Sequence, residues 1–145
     1  MTQVLTGHCH CGAIRVELAP GRPVAELPVR ACQCGFCRRH GARTTSDPMS
    51  RLNIEAAPGS LNRYRFGRRA VDALLCEECG VYVASMLEAD GALLATLNVA
   101  GVDLDGFEDR TAEPVTYDDE SDEERLARRK ARWTPAVLVE TLPSA

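Results

Sequence analysis

Seven cysteines are the residues of this chain whose type and spacing can do chemistry. They fall into three short clusters and occur nowhere else: Cys9 and Cys11; Cys32, Cys34 and Cys37; Cys76 and Cys79. Thiolates one or two residues apart on a tight turn can bind the same metal ion, and zinc sites are commonly built from such groups. Because ordinary core cysteines would be scattered along the chain, this clustering predicts metal binding.

Seven thiols divide naturally into a set of four and a set of three. Four thiolates close a tetrahedral zinc site, which is then structural, whereas three leave a coordination position open for chemistry. The spacing alone does not say which clusters join. It is also compatible with an iron–sulfur cluster, and Cys76-Glu77-Glu78-Cys79 has the spacing of a dithiol redox couple. We expect one closed and one open zinc site, with these alternatives left open.

Composition limits the class of protein. A chain of 145 residues is expected to form one domain, over residues 1–145, with a core that needs no disulfide staples. It has neither an apolar run of about 18 residues nor a basic N-terminus followed by an apolar segment, so no membrane span and no secretory signal are predicted. A cytoplasmic location is the resulting expectation, and thiols there stay reduced. The net charge of −4 and 5% aromatic residues disfavour a nucleic-acid partner.

Alternating apolar residues predict a mainly β fold that positions the cysteines. Ile14, Val16 and Leu18 alternate with polar residues, which is typical of a half-buried strand. A strong hairpin dipeptide, Asp90-Gly91, joins two further runs. Other strands are predicted over residues 52–54, 61–66, 70–75, 81–87 and 92–99.

Several segments are predicted to be irregular. Residues 24–31 form an extended run that Pro28 confines to an edge strand or an irregular one. The polar segment 44–50 is predicted to be a mobile loop. The cysteines of residues 7–12 and 32–37 are predicted to lie on loops, the first bracketed by glycines that let the backbone turn.

The chain beyond Gly106 is charged. Ser121 and Glu124 form a capping box for a helix over residues 122–132, and its acidic start and basic end suit the helix dipole. We expect this helix to be a solvated surface element, with a docking surface as the alternative. Trp133 is expected to anchor the end of the helix, and a last short strand follows at Val137 and Val139.

The order and spacing of these motifs resemble the glutathione-dependent formaldehyde-activating enzyme family, which includes the centromere protein V (GFA/CENP-V) domain. The resemblance extends over about residues 4–106 and leaves a charged helical extension at about 107–145. It is carried by Gly7-His8-Cys9-His10-Cys11-Gly12-Ala13-Ile14, Cys32-Gln33-Cys34-Gly35-Phe36-Cys37-Arg38-Arg39, Gly59, Tyr64, Cys76-Glu77-Glu78-Cys79-Gly80 and Asn98-Val99-Ala100-Gly101-Val102-Asp103.

The resemblance implies a β-tent fold of short antiparallel sheets with one C-terminal helix, and two Zn²⁺ per chain. The implied activity is condensation of formaldehyde with glutathione to S-hydroxymethylglutathione, a carbon–sulfur lyase reaction run in reverse. A second zinc with an exchangeable fourth ligand would be the catalytic one. The implied ligands are Cys9, Cys11, Cys76 and Cys79 for a structural zinc, and Cys32, Cys34 and Cys37 for the second zinc.

The chain departs from the family pattern at three places. Leu75 replaces an aromatic residue, residues 43–47 are polar where members are often small and apolar, and the segment after Pro114 lacks an expected histidine. The first change concerns packing. The second lies beside the open zinc site and puts the substrate in doubt.

Charged residues beside the three-cysteine segment are candidates for substrate binding. Arg38 and Arg39 follow the third ligand and can clamp a carboxylate of glutathione, or else are solvated. His40 is an acid–base candidate, although a surface role is favoured. His8 and His10 are alternative metal ligands that four cysteines make unnecessary.

Three functions remain in competition. Zinc with three thiolates favours a thiol as the fourth ligand over hydrolysis, which suits an enzyme of carbon–sulfur chemistry. The alternatives are a zinc-stabilised module that carries glutathione or a protein partner without turnover, and a redox-sensitive zinc switch. The fourth ligand of the second zinc discriminates between the enzyme and the module. An exchangeable water or thiol favours the enzyme, whereas a protein ligand that closes the site favours the module.

Overall fold

The computed structural model describes residues 3–141, which form eleven strands and two α-helices. The helices are α1 (Gly35–His40) and α2 (Asp122–Arg132), and a 3₁₀ turn spans Val24–Glu26. The strands are β1 (Leu5–His8), β2 (Ile14–Ala19), β3 (Arg30–Cys32), β4 (Thr44–Thr45), β5 (Arg51–Ala56), β6 (Leu61–Tyr64), β7 (Asp72–Cys76), β8 (Tyr82–Ala89), β9 (Ala92–Asn98), β10 (Glu113–Val115) and β11 (Thr134–Glu140). The predicted mainly β fold with a C-terminal helix is confirmed.

The strands form one connected sheet in the order β1-β2-β5-β11-β9-β4-β3-β10, with β8, β7 and β6 branching from β9. Most neighbours are antiparallel, as predicted. Two pairs are parallel, β5 with β11 and β3 with β10. The predicted β8–β9 hairpin is confirmed, and its turn places Asp90 and Gly91 at φ +53° and +77°, the left-handed geometry that suits a two-residue hairpin.

The core lies on one face of the alternating strands. In β2, Ile14, Val16 and Leu18 are buried, whereas the residues between them are exposed. The same alternation runs through β5, which pairs with β2. Period-two patterning therefore identified the buried face, because side chains of a strand alternate between the two sides of the sheet.

The C-terminal segment is an integral part of the sheet. Strand β11 lies between β5 and β9, with Leu138 beside Ile54 and Thr134 beside Ala95. The predicted helix has the predicted bounds and both hydrogen bonds of the capping box between Ser121 and Glu124. Trp133 ends it and is 8% exposed, as expected of an anchor. None of the helices among the described residues is long and apolar enough to span a membrane.

The prediction for residues 24–31 was wrong over most of its length. The segment begins with a 3₁₀ turn, in which the Leu27 N–H donates to the Val24 carbonyl, and only Arg30–Cys32 form a strand. Pro28 lacks the N–H that a strand would use, which keeps sheet pairing from starting before β3.

The prediction of a mobile loop over residues 44–50 was also wrong. The segment opens with β4, and Asp47 is only 1% exposed. Its carboxylate accepts hydrogen bonds from the Ser50 hydroxyl at 2.7 Å and from Arg22 at 2.8 Å, while its N–H donates to the Thr134 hydroxyl at 2.9 Å. These polar residues are tolerated in the protein interior because they have hydrogen-bond partners there.

Candidate metal centres

Two similar turns build the first metal centre. In the β1–β2 turn the Cys9 N–H donates to the Ile14 carbonyl, and in the β7–β8 turn the Cys76 N–H donates to the Val81 carbonyl, both at 2.9 Å. Gly80 follows the second pair at φ +79°, a left-handed conformation that glycine adopts without strain. Each turn directs its two thiols to the same point.

The four thiols of Cys9, Cys11, Cys76 and Cys79 have the geometry of a zinc site. Their sulfur atoms all lie within 4.8 Å of one another. The Cys9 and Cys11 sulfurs are 3.8 Å apart, and those of Cys11 and Cys76 are 3.6 Å apart. A tetrahedron with Zn–S bonds of about 2.3 Å has edges of about 3.8 Å. The sequence left the pairing of clusters open, and the structure joins the first with the third.

The thiols of this centre differ in how readily they ionise. The Cys9 sulfur accepts a hydrogen bond from the Ile14 N–H at 3.3 Å. Burial raises the pKa of Cys76 to about 12. Burial also opposes ionisation of Cys79, but hydrogen bonds from backbone N–H groups, Val81 foremost, outweigh it and lower its pKa to about 6. A divalent cation at the centre would favour the ionised form of all the thiols.

The second centre lies where β3 meets α1. Cys32 ends β3, which pairs in parallel with β10 at Val115. Cys34 caps α1, and its sulfur accepts the Cys37 N–H at 3.4 Å. The predicted loop over residues 32–37 was wrong, because a side-chain cap starts a helix here and Gly41 ends it in the left-handed conformation. The helix places Cys37 three residues after Cys34, on the same side.

The second centre offers three ligands. The sulfurs of Cys32, Cys34 and Cys37 lie within 4.8 Å of one another, and within residues 3–141 no fourth Cys, His, Asp or Glu joins them. The hydrogen bond from the Cys37 thiol lowers the pKa of Cys32 to about 6, and the same bond raises the pKa of Cys37. These soft ligands fit a zinc ion with one position open to an outside ligand.

A cleft of about 560 Å³ opens beside the second centre and includes all three of its cysteines in the lining. Tyr82 and Ser85 of β8 line it as well, with their hydroxyls hydrogen-bonded to each other. Burial raises the pKa of Tyr82, and the charge of Cys37 adds to the effect. The ring of Phe36 packs edge-on against Tyr82, with centroids 4.8 Å apart. The sequence gives no indication that Tyr82 and Ser85 belong to a functional site, because they lie in an ordinary strand pattern.

Helix α2 forms another wall of this cleft. The sequence predicts a solvated surface helix, with a docking surface as the alternative. None of the residues of α2 is buried, and its four arginines also line the cleft: Arg125, Arg128, Arg129 and Arg132. Residues three, four and seven apart share one face of a helix. That spacing is visible in the sequence and was the signal that could have identified a functional face.

The other predicted site residues lie outside the two clusters. Arg38 and Arg39 are exposed, and each donates to a backbone carbonyl nearby, of Gln33 and Gly35 respectively, at 3.1 Å. Neither lines the cleft, and their assignment to the substrate stays a prediction. His40 packs against Phe36 at a centroid distance of 4.5 Å. His8 bonds through Nδ1 to the Cys9 carbonyl at 2.6 Å, and neither His8 nor His10 joins a cluster.

Comparisons with known proteins agree with this architecture. A crystal structure of a Rhodobacter sphaeroides protein, a structural genomics target, is 29% identical and matches with a TM-score of 0.56, over 76% of this chain and 99% of that one. The sequence profile described as glutathione-dependent formaldehyde-activating enzyme matches residues 4–117, which include both cysteine clusters and exclude α2 and β11. The chain belongs to the glutathione-dependent formaldehyde-activating enzyme family.

Proposed function

We propose that Cys32, Cys34 and Cys37 hold a zinc ion at which a thiol such as glutathione is bound, and that the protein promotes addition of this thiol to formaldehyde. The observation that carries the proposal is the three-thiol cluster in the wall of a cleft of about 560 Å³. A cluster closed by a fourth protein ligand, or one away from a cleft, would give a substrate no access. The family description supplies the class of substrate.

The proposed reaction needs no oxidant and releases no leaving group. A bond forms between the thiol sulfur and the carbonyl carbon, and the C=O π bond breaks. The proton lost by the thiol ends on the former carbonyl oxygen, which gives S-hydroxymethylglutathione when the thiol is glutathione. Zinc would lower the pKa of the incoming thiol and hold its sulfur as a nucleophile.

Residues of the cleft provide the rest of the site. The hydroxyls of Tyr82 and Ser85 share a hydrogen bond at the cleft wall and are the groups placed to hold a proton for the new alcohol. Phe66 and Phe36 stack with centroids 4.9 Å apart, and Phe66 also lines the cleft. Phe66 therefore adds apolar surface to the cleft.

The first centre has a different task in this proposal. Four thiols from two turns would close a structural zinc that ties β1–β2 to β7–β8. The protein would then bind two zinc ions per chain. A cytoplasmic location fits the need of both centres for reduced thiols.

Zinc content and zinc-edge X-ray absorption, with and without glutathione, test the proposal. We expect two zinc ions per chain and a mean of about 3.5 sulfur ligands per zinc that rises to about 4 with glutathione. Cys34→Ser should lose one zinc ion and the response to glutathione. Gln33→Ser, a change of the exposed residue beside Cys34, is the matched control and should keep both.

Catalysis is measured by NMR exchange between formaldehyde and S-hydroxymethylglutathione. Faster exchange with the wild type than with Cys34→Ser supports an enzyme. A rise in sulfur coordination without faster exchange would instead identify a module that carries the thiol. Two zinc ions with four sulfur ligands each before any thiol is added would overturn the open site.

A further inference from the structure

Positive charge is concentrated in the cleft of an otherwise acidic protein. The chain has 17 basic and 21 acidic residues, and seven arginines but only three carboxylates line the cleft. Four of these arginines come from α2, which lies beyond the residues that match the family profile. Most of the positive charge of the cleft therefore comes from the C-terminal helix.

Several of these arginines lack an acidic partner. Among residues 3–141, the side chains of Arg129 and Arg132 form no ion pair, and the buried Nε atoms of Arg125 and Arg129 have no hydrogen-bond acceptor. By contrast, Arg128 is paired through Nε with both carboxylate oxygens of Glu120, at 3.0 and 3.1 Å. A buried Nε–H without an acceptor is costly, so an anion that enters the cleft and accepts from it would be stabilised.

The arginines also lie close enough to affect one another. Burial lowers the pKa of Arg129, and the charges of Arg128 and Arg125 lower it further. Arg30 of β3 also lines the cleft and donates to the Ser46 hydroxyl at 3.1 Å. Burial lowers the pKa of Arg30, and the charges of Arg132 and Arg128 lower it further. The arginines of α2 and the three cysteines therefore line the same cleft.

We propose that the arginine face of α2, with Arg129 and Arg132 at its centre, is the specificity-determining wall of the cleft and binds the anionic end of a thiol substrate whose sulfur lies at the three-cysteine centre. The preferred substrate is then a thiol that carries two or more carboxylates, or a phosphate, at the end remote from sulfur. This inference rests on the proposed function for the position of the sulfur, but the anion subsite can be tested separately.

The forked guanidinium makes two parallel hydrogen bonds to a carboxylate or a phosphate, and such charge-assisted bonds are stronger than neutral ones. A neutral thiol would leave these donors without acceptors, so the wall discriminates by charge. The solvated alternative, a helix whose arginines only improve solubility, would place them on the outer face. Arg129 is half-buried and lines the cleft together with Arg132, which that alternative does not predict.

Three probes separate the sulfur from the anion. Glutathione has both groups, glutathione diethyl ester keeps the thiol without ionised carboxylates, and S-methylglutathione keeps the carboxylates without a free thiol. Binding to the zinc-loaded protein is measured by calorimetry. We expect S-methylglutathione to bind, and Arg129→Gln and Arg132→Gln to weaken its binding by roughly tenfold each while the ester binds unchanged.

Lys130→Gln is the matched control. It removes one positive charge from the same helix, but Lys130 points to Asp90 at 3.0 Å and does not line the cleft. It should leave the affinity for S-methylglutathione unchanged. Equal losses in Lys130→Gln and Arg132→Gln, or no binding of S-methylglutathione to the wild type, would overturn the subsite. Arg132 is exposed, so its variant should fold even if Arg129→Gln does not.

Two readouts distinguish this inference from the proposed function. Failure of glutathione to raise the sulfur coordination of zinc would count against the thiol site alone, whereas failure of S-methylglutathione to bind would count against the anion wall alone. Competition identifies the source of the anion. Displacement of S-methylglutathione by inorganic phosphate at lower concentration than by succinate supports a phosphate-bearing thiol, and the reverse order supports a carboxylate-bearing one.

Discussion

The two cysteine clusters use the same side chain in opposite settings. The first joins four thiols from two hairpin turns, with Cys9 and Cys76 buried and sulfur atoms as close as 3.6 Å. The second joins three thiols that are half-buried and face a cleft of about 560 Å³. In our proposal, this difference of one ligand and one cleft separates a zinc site that stabilises the fold from a zinc site that accepts a substrate.

The strands and helices that carry the two clusters also differ, in how far apart they lie in the fold. The first links the β1–β2 and β7–β8 turns, which belong to distant parts of the sheet. The second is local: a three-residue strand, a six-residue helix and the cap residue before that helix supply its three thiols. Loss of the first should therefore affect the whole domain, whereas loss of the second should affect the cleft.

The largest effect is expected from Cys76→Ser. Structural zinc contributes about 10–16 kcal/mol in zinc-finger peptides, which is comparable to the whole stability of a domain. The variant should lose the zinc of the first centre and melt at least about 15 °C lower, or fail to fold. Thermal unfolding and zinc content measure this. Cys34→Ser should melt within a few degrees of the wild type, and equal losses of stability in the two variants would refute the division of roles.

Local features of the fold were predictable because their causes are local. The capping box of Ser121 and Glu124 set the start of α2, and the Asp90-Gly91 turn set the β8–β9 hairpin. The clustered cysteines were likewise enough to predict metal binding, although not which clusters join. That pairing depends on β7 returning to the end of β1, which is a long-range arrangement.

Features that depend on distant partners were not predictable in this way. The polar run around Asp47 indicated a mobile loop. Its hydrogen-bond partners Arg22 and Thr134, however, are 25 and 87 residues away in the sequence. Likewise, the charge of α2 indicated a solvated helix, but Arg129 lines a cleft whose other lining residues come from distant strands, among them β3 and β8. Polarity predicts exposure only when no partner is available inside.

A smaller effect is expected from Asp47→Asn, because hydrogen bonds hold the segment around Asp47, whereas a metal ion would hold the turns of the first centre. Burial opposes ionisation of Asp47, but hydrogen bonds from Ser50 and Arg22 outweigh it and lower its pKa. Its contribution is therefore complete above the unfolded-state pKa of about 3.9 and is lost as the pH falls through the lower folded-state pKa. The variant should lose about 1–3 kcal/mol near pH 7.

Urea unfolding from pH 7 to pH 3 measures this difference, which should be constant above about pH 5 and shrink below about pH 4. Asp105→Asn, at an exposed carboxylate that accepts from Thr6, is the control and should change little. The zinc content of Asp47→Asn should equal that of the wild type. Loss of zinc in this variant would show that the hydrogen-bond network and the metal centres are not independent.

The smallest effects come from a matched pair of glycines, one beside each centre. Gly80 follows the first centre at φ +79° and Gly41 ends α1 beside the second at φ +58°, and a Cβ at either position has no atom within 4 Å. Gly80→Ala and Gly41→Ala should therefore each cost only backbone strain, about 1–2 kcal/mol and roughly 3–8 °C in melting temperature. Their local consequences should differ. Gly80→Ala should speed the loss of zinc from the first centre to a chelator. Gly41→Ala should weaken thiol binding and leave the zinc of the first centre in place. The opposite pattern would mean that the cluster of three cysteines, not the cluster of four, stabilises the fold.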